Sequence, residues 1–158
     1  MRKLMVLAML LGVAAFGTTG VALADHDPPD GPAVAPSFIG GTVSNRCDGG
    51  QKLDGVGGDI TSGTYAFSFE GFGGSLTITV EQTAMGPTFT FESDHPSHLV
   101  TSIYVKGGPN GSNFYNYAGQ PLGGLAHDDG LHSPLNSKNG KWYGLSHICV
   151  FTDKDGFP

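Results

Sequence analysis

Four residues within six positions, His127, Asp128, Asp129 and His132, carry the side chains that a divalent cation takes as ligands. Two imidazoles and two carboxylates converging on one ion would make a metal centre, either structural or hydrolytic. Their spacing matches no zinc signature, and it lacks the alternating Asp, Gly and Glu of a helix-loop-helix calcium site. The competing reading is a solvated turn, because Asp and Gly are ordinary turn formers. Asp94-His95-Pro96-Ser97-His98 offers two more imidazoles in a connection between expected strands. Asp25-His26-Asp27 places an imidazole second from the expected mature amino terminus, whereas the tight copper and nickel motif needs it third.

Nucleophilic catalysis has little support. Ser146 and His147 are adjacent, so on a strand their side chains point to opposite faces. Gly144-Leu145-Ser146-His147-Ile148 also lacks the closing Gly of a nucleophile elbow. The acidic residues are scattered, and a carboxylate pair for glycoside cleavage is a property of three-dimensional spacing. Aromatic binding has the better case. Tyr115, Tyr117, Trp142 and Tyr143 flank the polar segment 118–141 on both sides. Exposed, these rings would stack on a glycan or on a partner protein's side chains; buried, they would be core. Trp142 and Tyr143 face opposite ways on a strand, so one of them is the expected surface member.

The elements that must hold these groups are strands. Tyr65 to Glu70 and Leu76 to Glu81 alternate with period two, which predicts a hairpin turned by Gly71-Phe72-Gly73-Gly74 with Phe67, Leu76, Ile78 and Val80 inward. Thr88 to Glu92 predicts the next strand, with Phe89 and Phe91 sharing a face. The run 98–106 is apolar on both faces, as a strand covered on each side should be. Residues 113–117 and 142–151 supply two more strands. Segment 118–141 reads as a long structureless connection, a feature that is often functional. Glycine makes up 23 of the 134 residues after Ala24, and each disfavours helix by about 1 kcal/mol relative to Ala. The expected fold is an all-β, Gly-rich antiparallel β-sandwich over 38–158, with an open β-barrel as the alternative.

Met1-Arg2-Lys3, an apolar run from Leu4 to Phe16 and Ala22-Leu23-Ala24 predict a signal peptide over 1–24. The apolar run is shorter than the roughly 18–20 residues of a bilayer span. Cleavage is therefore expected, giving a secreted protein, extracellular or periplasmic, with no membrane span. Prolines at 28, 29, 32 and 36 predict a flexible leader over 25–37. Two of the eight basic residues lie in the signal peptide and none of the fourteen acidic ones do, so the remainder carries a net charge of −8. A nucleic-acid partner is excluded on that charge. Export makes a disulfide between Cys47 and Cys149 the favoured state over two buried thiols. Asn110-Gly111-Ser112 fits a glycosylation acceptor and also a tight turn.

Val105-Lys106-Gly107-Gly108, Gly130-Leu131-His132-Ser133-Pro134-Leu135-Asn136 and Tyr143-Gly144-Leu145-Ser146-His147-Ile148-Cys149 together resemble a family of secreted microbial proteins, largely uncharacterised, over 47–149. The resemblance implies one extracellular β-domain whose late cysteine pairs with an early one, matching Cys149 and Cys47. It implies no catalytic residue. The functional expectation is a non-enzymatic binding or surface-structural module for an extracellular glycan or protein, with no resident cofactor. The alternative is a metal-binding protein or metal-dependent enzyme using segment 118–141.

Overall fold

The computed structural model describes residues 31–41, 47–54, 59–69, 72–109 and 111–152. The signal peptide, the first residues of the leader including His26, and the acceptor at Asn110 lie outside them. Among the described residues there is no helix, and hence none long and apolar enough to cross a membrane.

Among the described residues eleven strands run β1 (Ser37–Gly40), β2 (Gln51–Asp54), β3 (Gly63–Phe69), β4 (Phe72–Thr83), β5 (Gly86–Ser93), β6 (Ser102–Lys106), β7 (Gly111–Asn116), β8 (His127–His132), β9 (Leu135–Asn136), β10 (Lys141–Trp142) and β11 (His147–Phe151). They form a five-stranded sheet in the order β1-β7-β6-β11-β2, a four-stranded sheet in the order β3-β4-β5-β8, and the small β9-β10 pair. All pairings are antiparallel, and no sheet closes into a barrel. The fold is thus an all-β sandwich.

Period-two alternation explains the core between the two large sheets. Phe67, Leu76, Ile78, Phe89, Phe91 and Leu131 come from the four-stranded sheet, and Leu53, Ile103, Val105, Tyr115, Ile148 and Val150 from the five-stranded one. Each fully buried large side chain of this kind stabilises the fold by roughly 1.5–3 kcal/mol relative to exposure. The outer face of the five-stranded sheet carries a second cluster, in which Tyr104 stacks on Phe114 at 4.5 Å beside Cys149 and Phe151. The Cys47–Cys149 disulfide joins this cluster, with Cα atoms 5.4 Å apart. Strand β6, at the middle of its sheet, is covered on both faces as its sequence predicts.

Four details depart from the sequence reading. Gly73 and Gly74, expected in a turn, pair with Ser68 and Phe67, so β4 begins earlier and the hairpin is tighter. The strand expected over 142–151 divides: Trp142 belongs to the β9-β10 hairpin, and β11 starts only at His147. Segment 118–141 is not structureless, because it contains β8, β9 and the start of β10. The leader is also attached from residue 31 onward. Val34 packs on the core, and the Ala33 amide donates to Asp128 Oδ1 at 2.8 Å.

Candidate functional site

Strand β8 determines what the histidines and aspartates of segment 118–141 can do. Phe89 opposes Leu131 and Phe91 opposes Asp128, so β8 carries one residue more than β5 across this interval. This bulge contains Gly130 at φ +65°, a conformation that favours glycine, and a Cβ there would lie 3.0 Å from the Gly31 Cα. Its effect is to turn both Asp128 and Leu131 into the core. Strict alternation would have placed them on opposite faces.

Asp128 is almost wholly buried and hydrogen-bonded on both oxygens. Oδ1 accepts from the amides of Ala33 (2.8 Å) and Asp129 (2.9 Å), while Oδ2 accepts from the Tyr117 hydroxyl at 2.7 Å. Burial raises its carboxyl above the ordinary carboxylate value, against the opposing pull of these donors. Burial also drives the Tyr117 hydroxyl well above the usual tyrosine value, reinforced by the Asp128 charge. Tyr115, likewise buried, donates to the His132 carbonyl (3.1 Å) and accepts from the His132 amide (2.9 Å). Its hydroxyl is pushed up to about 12 by burial. Both tyrosines stand behind the surface, with no ring face open to a ligand.

The four expected metal ligands are strung along β8 instead of converging. His127 pairs across from Glu92 at one end and His132 from Thr88 at the other, and a strand rise near 3.3 Å per residue separates them by roughly 15 Å. Between them, Asp128 is occupied by the donors just named, and the Asp129 side chain belongs to a buried residue. Among the described residues no group of three His, Cys, Asp or Glu side chains is placed to hold a metal. Ser146, beside His147, donates its hydroxyl to the Lys106 carbonyl at 3.0 Å.

The structure brings His132 and Trp142 together. Their rings stack with centroids 4.0 Å apart and planes 11° from parallel. His132 Nδ1 lies 2.9 Å from the Ser133 carbonyl and 3.3 Å from Asn113 Nδ2, and burial holds the imidazole below the ordinary histidine value. The Asn113 side-chain amide donates to the His132 carbonyl at 3.0 Å. Ser133 Oγ donates to the Tyr143 carbonyl, and the Trp142 amide to the Met85 carbonyl at 2.7 Å, so the hairpin is closed at its base and tied to the turn between β4 and β5. Tyr143 lies over Gly108, which has φ +71° and where a Cβ would come within 2.7 Å of the ring. Trp142 and Tyr143 are both half-buried. Neither Asn113 nor Ser133 is evident as a site residue from sequence. The signal that could have pointed to them is Asn139-Gly140, a hairpin turn that folds Trp142 back over the chain from which it came.

Beside this hairpin lies an open groove of about 220 Å³, between Val80, Gln82 and Pro87 on one side and Asp59, Gly144 and Leu145 on the other. The Ile60 amide bonds the Leu145 carbonyl at 2.7 Å and closes its floor. Leu135, which pairs with Trp142 in the hairpin, is 57% exposed, and Met85 is 41% exposed. Apolar surface, two half-buried aromatic rings and a groove therefore occupy one end of the sandwich.

No family model, curated protein or solved structure matches the chain.

Proposed function

We propose that this chain is a secreted, non-enzymatic binding module that engages an extracellular ligand through the β9-β10 end of its sandwich. The observation carrying this reading is the His132–Trp142 stack, braced by Asn113, Ser133 and the Met85 carbonyl. A ring held in this way loses little conformational freedom when a ligand packs beside it, which is the main cost that aromatic recognition avoids. The polar groups nearby support binding over turnover. Asp128, Ser133 and Ser146 are each engaged in hydrogen bonds that hold the fold. Export rests on the signal-peptide pattern, and the Cys47–Cys149 disulfide is compatible with it.

Trp142 is the one tryptophan of the chain, so its emission reports on this end of the sandwich alone. Neutral oligosaccharides titrated onto the chain from Asp25 are expected to give a saturable change in that emission. Calorimetry on Trp142→Ala should then show the binding lost with the fold retained. An unchanged affinity in Trp142→Ala, or a hydrolytic turnover abolished by mutating one polar residue of 118–141, would overturn the proposal.

A further inference from the structure

The groove beside the β9-β10 hairpin has an apolar floor and a polar rim. Ile60 and Leu145 in its floor are core residues, and Val80 packs against them. Asp59 and Gln82 stand on the rim, both exposed, and among the described residues neither side chain has a hydrogen-bond or ion-pair partner. At about 220 Å³ the groove is smaller than the roughly 300–1,000 Å³ that a drug-sized ligand fills, so it suits one ring of a longer ligand. Resting on the binding reading above, we infer that this groove seats a sugar unit carrying a free amine, with its ammonium paired to Asp59 and one ring face on the apolar floor.

Position, charge and hydrogen-bonding capacity each support that occupant. The Ile60 amide bonds the Leu145 carbonyl at 2.7 Å, which ties the Asp59 segment to the chain leaving the hairpin. A Cβ on Gly144 would lie 3.1 Å from Asp59 Oδ1, so the carboxylate lies against bare backbone there. Gly144 follows Trp142 by two residues, a span of at most about 7 Å, and one oligosaccharide can therefore touch both. An ionised carboxylate only accepts hydrogen bonds, and its strongest complement is a charged donor. The net charge of −8 after Ala24 draws such a ligand in and repels glycans bearing carboxylates or sulfates. Lys141 adjoins Trp142 on β10 and points to the opposite side by strand alternation. The Gln82 amide offers both a donor and an acceptor to a sugar hydroxyl. A lysine side chain from a protein partner would pair with Asp59, but its stem brings no hydroxyl for Gln82.

The test titrates matched oligomers of glucose, glucosamine and N-acetylglucosamine onto the chain from Asp25, followed by Trp142 emission and calorimetry. The glucosamine oligomer is expected to bind about fivefold tighter than the other two at low salt, the upper end for an exposed ion pair. That advantage should fade as salt is raised. Asp59→Asn should bring the three oligomers to equal affinity, and Asp59→Lys should turn the preference toward an oligomer of glucuronic acid. Equal affinities in the unmodified chain, a glucosamine preference retained in Asp59→Asn, or trilysine binding as tightly as the glucosamine oligomer overturns the inference. Neutral oligomers that bind with no gain from the amine refute this inference alone, whereas silence from all three refutes the binding reading with it.

Discussion

Replacing Tyr117 by Phe removes one oxygen from a fully buried ring and leaves the packing of that ring against Phe91, at 5.9 Å, in place. The lost hydroxyl makes the 2.7 Å hydrogen bond to Asp128 Oδ2. It is the one donor to that oxygen among the described residues, because the Ala33 and Asp129 amides go to Oδ1. A hydrogen bond to a charged group is worth about 1.5–3 kcal/mol, and the buried acceptor left behind brings the expected cost to about 2–3 kcal/mol at neutral pH. The cost should depend on pH, with a determined sign. Burial already raises the folded-state value of Asp128 above that of the unfolded chain, and losing the Tyr117 donor raises it further. A group raised in this way favours the folded state below its unfolded value, and that contribution is lost as pH rises through its folded value. Urea unfolding should therefore show Tyr117→Phe penalised most at neutral pH and less near about pH 4, where the unfolded carboxyl titrates. In an Asp128→Asn background the same change should cost only about 1 kcal/mol, the value of a neutral hydrogen bond. A neutral-pH cost under about 0.5 kcal/mol, or an equal cost in both backgrounds, would refute the reasoning.

Reducing the Cys47–Cys149 bond, which closes a loop of 102 residues, should cost about 4.7 kcal/mol in the chain-entropy account and lower the melting temperature by roughly 15 °C; a shift of only a few degrees contradicts it. The emission of Trp142 should titrate as its stacked partner His132 gains a proton, with a midpoint below the ordinary histidine value of 6.5. The stability that neutral His132 contributes should be lost as pH falls through that same window, and a midpoint at or above 6.5 argues against a buried imidazole. Gly108→Ala combines φ +71° with a Cβ 2.7 Å from the Tyr143 ring, so a loss of about 2 kcal/mol or more in urea unfolding is expected. A neutral outcome there would mean that Tyr143 is not seated on this backbone.

The parts of the fold legible in the sequence are those whose partners lie nearby in the chain. Phe67, Leu76, Ile78, Phe89 and Phe91 alternate with polar residues along consecutive strands, and their burial follows from period two alone. Strand β8 was illegible for the opposite reason. His127-Asp128-Asp129-Gly130 has the composition of a turn, and it becomes a strand because β5 offers a free edge and because Asp128 finds Tyr117 and Ala33, the latter 95 positions away. No local rule anticipates a carboxylate that is stable in the core only with such distant donors. The candidate site was half legible. The aromatic residues flanking 118–141 were visible, but Tyr115 and Tyr117 turned inward because β7 alternates toward the core. The stack of His132 on Trp142 depended on a hairpin hidden within an apparently polar connection.

The strand order of the larger sheet sets a timetable for the chain as it emerges. Strand β11, the last described strand, lies between β6 and β2, and among the described residues β2 has no other neighbour. Strands β3, β4 and β5 are consecutive hairpins and can pair as soon as they exist, whereas β2 stays without a ladder until residues 147–151 arrive. Cys149 arrives on that same strand. Closure of the sheet and formation of the covalent link thus both wait for residues 147–151, and a chain interrupted before residue 147 can have neither.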